Sequence, residues 1–396
     1  MTQKKTVKDL SLKGKKILLR VDYNVSLLDG LRLGDDTRIR QTLPTIDYLL
    51  KQGCTLYLVS HLGRPDGQRQ KQFSLKPVAE HLAAMLKRKV LFFGEDLLKD
   101  EGIKRLQAVR KGAVVLLENI RFYPGEERND EQFSRTLAGL AEVFVNDAFG
   151  VDHRVHASTV GVTAYLPAVA GFLLEKEVEM IGKAMEKPRR PLVAIVGGAK
   201  AETKITLIDR LLEKADTLII GGGVANTFLK AWGYEVGQSL VNYEMVELAK
   251  RLFWKAARSK TRMLLPTDVV LGLLAKNRYV GIADSAHIPA NMQALDIGPQ
   301  SQAEFGAEIS RAKTIIWNGP MGVYENPKFV TGTDFIYHAI AENRASLSVV
   351  GGGDTLAALK EKDFLKTIDH VSTGGGAMLE FIERGSLPGI DALLDK

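Results

Sequence analysis

A chain of 396 residues exceeds what one hydrophobic core normally serves, so two domains are expected. With 45% hydrophobic and 26% charged residues, the composition is that of an ordinary soluble globular protein. The net charge of +7 favours anionic partners, yet Lys and Arg are interleaved with acids rather than gathered in a block, so a nucleic-acid partner is not expected.

The opening stretch MTQKKTVKDLSLKGKK is basic with no apolar run behind it, and no signal peptide is read there. Strands follow at 16–24, at CTLYLVSHLG (54–63), and at the segments KVLFFGED, AVVLLENIRF and EVFVNDAFG. Between them lie helical patterns such as RIRQTLPTIDYLLKQG, with Gly53 placed to cap the helix end. Cys54, the only cysteine, excludes an internal disulfide and begins an apolar run, so buried packing in a reducing compartment is expected. The longest uncharged run, 161–174, is too short for a membrane helix and contains Pro167. A cytoplasmic protein with no membrane partner is therefore expected.

A charged helical stretch, LLEKEVEMIGKAMEKPRRP, reads as the connection between two halves. The second half places strands at 191–198, 216–223, RMLLPTDVV, 313–320 and 347–353, with a short segment at 370–376. Strands alternating with helices in both halves predict α/β architecture: two doubly wound, Rossmann-like parallel-sheet domains joined by an interdomain helix.

In such sheets ligands bind beyond the carboxyl ends of the strands. In the first half those ends carry Arg20, Asp22, Asn24, His61, Arg64, Asn119, Arg121, Asn146, Asp147, His153, Arg154 and His156, with Arg38 just beyond the first strand. Guanidinium forks match phosphate and carboxylate oxygens, so convergent arginines suit a small, highly anionic molecule. In the second half the strands end in glycine: 197–200, 221–228, 318–322, 351–355 and 372–377. Glycine admits close backbone approach, and helix N-termini attract phosphate, so a nucleotide is expected there. Neither the phosphate loop G-x-x-x-x-G-K-[ST] nor the dinucleotide fingerprint G-x-G-x-x-G is present, because GGGVAN ends in Asn226. Lys200, Lys204, Glu325, Asp354 and Thr355 lie among or just beyond these turns; Asp354 suits either Mg²⁺ or a helix N-cap. An anion pocket on one half and a nucleotide surface on the other describe a small-molecule kinase.

The segments RVDYNV, DDTRIR, SHLGRP, ENIRF, NDAFGVDHRVHAST, GGAKAETKI, GGGVANTFL, LDIGP, WNGPMGVYE, GGGDT and VSTGGGA resemble, in order and spacing, the motifs of the phosphoglycerate kinase family. Ser26, Tyr23, Tyr324 and Ala294 depart from residues common in that family, and none of these changes removes a charged group. The resemblance implies reversible phosphoryl transfer between 1,3-bisphosphoglycerate and ADP, giving 3-phosphoglycerate and ATP. It implies a 3-phosphoglycerate-binding domain at 1–173, an interdomain helix and hinge at 174–190, a nucleotide-binding domain at 191–380, and a tail at 381–396 returning to the first domain. Asp22, Asn24, Arg38, His61, Arg64, Arg121 and Arg154 would bind the acid. Lys200, Lys204, Glu325, Gly352, Gly353, Asp354 and Thr355 would bind ATP or ADP, with Asp354 on Mg²⁺. Gly198, Gly223, Asn318, Pro320 and Val323 would line the same site. Catalysis would fall to Arg38, Lys200, Lys204 and the helix N-terminus at Gly374, Gly375 and Gly376, in a monomer acting only on small molecules.

Overall fold

The computed structural model describes residues 3–28, 32–359 and 364–396. The chain divides into two compact units, Met1–Glu179 with Arg384–Lys396, and Met180–Glu383, the division falling inside the helix Phe172–Glu186.

The first unit contains strands β1 (Lys16–Val21), β2 (Leu27–Leu28), β3 (Arg32–Leu33), β4 (Thr55–Val59), β5 (Val90–Phe93), β6 (Val114–Leu117), β7 (Val143–Asp147) and β8 (Ala168–Ala170). Apart from the β2–β3 hairpin, they form one parallel sheet in the order β5-β6-β4-β1-β7-β8. β4 (TLYLV) and β6 (VVLL) are buried throughout, as a sheet covered by helices on both faces requires. The chain leaves β1 toward β4 and returns on its other side as β7, so the crevice for a ligand opens at the carboxyl end of β1. Gly53 adopts φ +73° just past the helix Thr37–Lys51, the left-handed cap expected of it. β8 lies in the uncharged run that suggested no strand; only three residues long, it pairs with β7 and bridges to Thr6. The last residues complete this unit. Lys5 N–H donates to Leu394 O at 2.7 Å, Leu394 N–H donates to Ala168 O at 3.0 Å, and Leu387, Ile390 and Leu393 are buried.

The second unit contains β9 (Leu192–Val196), β10 (Thr217–Ile220), β11 (Arg262–Leu264), β12 (Asp268–Leu273), β13 (Arg278–Asp284), β14 (Gln293–Ile297), β15 (Thr314–Asn318), β16 (Leu347–Gly351) and β17 (His370–Val371). Its parallel sheet runs β11-β10-β9-β15-β16-β17, with the topological switch at β9. The expected strand RMLLPTDVV is in fact two. Pro266 cannot donate to a ladder, and the chain breaks there, so β11 stays in the main sheet while β12 is the centre of a separate antiparallel sheet with β13 and β14. β13 and β14 are absent from the sequence reading. β13 is an exposed edge strand without the buried apolar run that marks the others. Among the described residues no helix is long and apolar enough to cross a membrane.

Candidate functional sites on the two units

The first site grows from the carboxyl ends of β1, β4 and β7. Beyond β1 the chain passes through buried Asp22 to exposed Asn24, whose Oδ1 accepts the Gly63 N–H at 3.0 Å and ties the loops after β1 and β4 together. Arg38, in the first turn of the helix Thr37–Lys51, is about one-third exposed (32%) and pairs with Asp22. His61, just past β4, is buried, and Arg20 Nη2 stands 3.4 Å from its Nδ1. A guanidinium only donates, so Nδ1 accepts and the ring proton resides on Nε2. Burial, then the charges of Arg20, Arg121, Arg38 and Arg154 in that order, hold the imidazole well below its ordinary pKa. His61 is thus a neutral ring on which four arginines act.

Arg121 is buried in the 3-10 turn Ile120–Phe122, donates to Gly63 O at 2.8 Å, and lies 3.1 Å from Glu127 Oε1. Arg154 is half-buried and Arg64 exposed. Asn119 is wholly internal, bonding Leu62 O, Phe73 O and the Arg121 N–H, so it shapes the loop that carries Arg121.

A brace behind these groups escaped the sequence reading. Arg20 donates from Nε to Ser158 Oγ at 2.9 Å, and from Nη1 to Val21 O. Ser158 donates in turn from Oγ to Glu126 Oε1 at 2.6 Å and from its N–H to Glu126 Oε2 at 2.9 Å. Glu126 is fully buried, with His156 Nδ1 at 3.6 Å. Burial pushes its pKa up, but His156, Arg20 and Ser158 outweigh that and hold it low. In the sequence Glu126 stands in PGEERND, a run that reads as a solvated turn, and nothing local signals an internal anion.

The second site surrounds the carboxyl ends of β9, β10, β15 and β16. Its cleft of about 320 Å³ is bordered by Gly198, Gly223, Pro320, Val323, Glu325 and Asp354, with Leu240, Val269, Leu274 and Tyr324 supplying apolar wall. A mostly apolar cleft with a few polar groups at its edge suits a flat ring carrying a charged tail. Leu240, Val269 and Leu274 were not foreseen, because each lies outside the glycine motifs; Tyr324 stands inside WNGPMGVYE but was noted only as a departure from the family.

The glycine turns do two different jobs. Gly197 donates to Asn318 O and Gly198 to Pro320 O, both at 2.8 Å, while Gly222 donates to Met321 O at 3.0 Å. A Cβ on Gly319 (φ +97°) would lie 2.2 Å from Gly197 O, and one on Gly222 would lie 2.8 Å from Gly198 N. These glycines let backbone pack on backbone. At Gly353, Gly375 and Gly376, by contrast, an added Cβ would meet nothing within 4 Å among the described residues. Those three leave room for a ligand.

Lys204 is half-buried and donates to Asn318 Oδ1. Burial lowers its pKa to about 8 against the opposing pull of Asp354 and Glu383. Lys200 is exposed. The Thr355 hydroxyl is committed inward, donating to Gly351 O at 2.9 Å and accepting the Gly319 N–H at 2.7 Å. Gly352 (φ +108°) is the N-cap of the helix Gly353–Ala358, so Asp354 is not that cap; it sits exposed in the first turn. Gly374 N–H is bonded to Ser372 Oγ at 3.1 Å, ahead of the helix Gly376–Arg384.

Among the described residues no cluster of three or more metal-ligating side chains occurs. Asp354 and Glu325 are exposed carboxylates at the cleft edge, and Asp354 fits Mg²⁺ arriving with a nucleotide, since that ion takes one or two carboxylates and fills its shell with phosphate oxygens and water.

A family model described as phosphoglycerate kinase matches residues 7–385. Phosphoglycerate kinases of Pelotomaculum thermopropionicum and Moorella thermoacetica are each 49% identical to this chain, over 99% of its length and 100% of theirs. The structure of phosphoglycerate kinase from Coxiella burnetii is similar, with a TM-score of 0.88 at 41% identity and 98% of each chain covered. That from Pyrococcus horikoshii is similar with a TM-score of 0.85 at 30% identity, again over 98% of each chain.

Proposed function

The chain belongs to the phosphoglycerate kinase family, and on that premise we propose how its residues divide the work. It is a phosphotransferase, moving a phosphoryl group between 1,3-bisphosphoglycerate and ADP with 3-phosphoglycerate and ATP as products. The first unit is proposed to hold the acid: Arg38, Arg121 and Arg154 meet its charged ends, with Arg64 at the rim and Asp22, Asn24 and the His61 Nε2–H orienting it. The convergence of four arginines on the neutral His61 carries this assignment. The second unit is proposed to hold ATP or ADP, with the base against Leu240, Leu274 and Tyr324 and the phosphates toward Lys200, Lys204, Asp354 and the open glycines.

In the ATP-consuming direction the nucleophile is a carboxylate, ionised at neutral pH, so no general base is needed. That agrees with a neutral, buried His61 that serves as donor rather than base. Catalysis is then positioning and charge neutralisation around the moving phosphoryl group. Arg38 and Lys204 are assigned to that group, with backbone N–H donors near Gly374, Gly375 and Gly376, and domain closure is proposed to bring the two substrates in line. Mg²⁺, held by Asp354, would neutralise charge on the nucleotide phosphates. The enzyme is further proposed to work as a cytoplasmic monomer; a single cysteine, which allows no internal disulfide, supports the reducing compartment.

The test is steady-state turnover with 3-phosphoglycerate, ATP and Mg²⁺, wild type against Arg38→Ala. Loss of one charge-stabilising donor costs about 2.7–4 kcal/mol of barrier, or roughly 10²–10³ in kcat. The KM for 3-phosphoglycerate should rise and that for ATP stay close to wild type. Near-native turnover by Arg38→Ala would sink the assignment.

A further inference from the structure

Asp152 lies just behind the basic rim and has no part in the mechanism above. It is fully buried, in the turn after Phe149–Val151. Its Oδ1 accepts from Asn146 Nδ2 at 2.8 Å, and its Oδ2 has no hydrogen-bond partner among the described residues. Its backbone carbonyl accepts the Gly389 N–H at 2.9 Å, while Asn146 Nδ2 also reaches Gly389 O at 3.3 Å. The fit against the C-terminal turn is close: a Cβ on Gly389 would stand 2.4 Å from Asp152 Oδ1. Arg20 attracts the carboxylate, and Asp147 and Asp22 repel it when ionised, Asp147 being itself raised by burial to about 7. Arg20 is the same guanidinium that touches His61.

We propose that Asp152 is a positioning residue of the acid site, tying the C-terminal turn at Gly389 to Asn146, the β7 residue paired with Arg20 in the sheet, and that its charge sets how much of Arg20's positive potential reaches a bound anion. An ionised Asp152 draws on Arg20 from behind; a protonated Asp152 leaves that potential for the pocket. Burial raises the carboxyl to about 7, against the opposing effects of Asn146 and Arg20, so both forms are present near neutrality. Binding an anion at the rim favours the protonated form. The free enzyme therefore takes up part of a proton as the acid binds, and the affinity for it weakens as pH rises through 7.

The strut matters only if the basic rim holds the acid as proposed above, and the two ideas fail differently. An unchanged 3-phosphoglycerate KM in Arg38→Ala overturns the site, whereas the strut is tested by Asp152→Asn, which mimics the protonated form without changing shape. In wild type the KM for 3-phosphoglycerate should climb between pH 6.5 and 8.5, by up to about tenfold for one unit of coupled pKa. In Asp152→Asn that climb should flatten, leaving a lower KM than wild type at pH 8.5 and the KM for ATP unchanged. A lesion of packing alone would raise KM at every pH, and that result, or a profile superimposable on wild type, overturns the proposal. Gly389→Ala should raise the 3-phosphoglycerate KM and speed amide exchange at residues 389–393; no change in either would remove the tail from the strut. Should Asp152→Asn not fold, calorimetric titration of wild type with 3-phosphoglycerate at pH 7.5, in buffers of differing ionisation enthalpy, decides. Proton uptake supports the strut and proton release overturns it.

Discussion

Lys204 shows how one side chain ties burial to chemistry. Held beside Asn318 and half-buried, its ammonium is destabilised, and its pKa falls from the ordinary 10.5 to about 8. The charged form, which a nucleotide phosphate needs, predominates below pH 8 and is lost as pH rises through it. The kcat/KM for ATP, which reports the free enzyme, should therefore fall above pH 8 with an apparent pKa near 8. Lys204→Arg, whose guanidinium stays charged, should move that limb beyond pH 9 even if turnover drops. A profile flat to pH 9 in wild type, or the same limb in both proteins, would contradict this. Residue types at this scale were legible: His61 stands just past a strand end, and Arg38 and Lys204 stand at the starts of the helices that follow β1 and β9. Their supports were not. Ser158 and Glu126 act through contacts that join residues distant in the chain, and no local pattern encodes them.

At the level of elements, glycine turns that look alike in the sequence separate into two classes. Gly319 packs its Cα against the Gly197 carbonyl at φ +97°, whereas Gly376 begins a helix with open space beside it. Gly319→Ala should cost at least about 1–3 kcal/mol of stability through left-handed strain and overlap. Gly376→Ala should leave the urea midpoint unchanged or raise it slightly, since alanine is the better helix former by about 1 kcal/mol. It should nevertheless lower kcat, by crowding the place proposed for the transferring group. If kcat is unaffected in Gly376→Ala, the Gly374 to Gly376 assignment fails. Strand order also explains what could be read in advance. The continuous apolar runs of β4, β6 and β9 announce buried parallel strands. The exposed β13 carries no such run, and β8, apolar and buried but only three residues long, does not stand out from the uncharged stretch around it; both went unread.

Over the whole molecule, each proposed ligand belongs to a different unit, so each should stabilise only its own. At one hundred times its Kd, a ligand adds about 2.7 kcal/mol to the state it binds. Calorimetry or hydrogen exchange should show 3-phosphoglycerate protecting Met1–Glu179 with Arg384–Lys396, and Mg²⁺–ATP protecting Met180–Glu383. Protection of the opposite unit by either ligand would reverse the assignment. The first unit holds both ends of the chain, with Lys4 bridged to Asp395 and Leu394 hydrogen-bonded to Lys5 and Ala168. Lys5 and Leu394 meet across almost the whole sequence, so closing this unit carries the entropy of a very long loop and depends on a few contacts at its rim. Trimming residues 384–396 should therefore loosen the acid-binding half while leaving the second unit's own sheet intact.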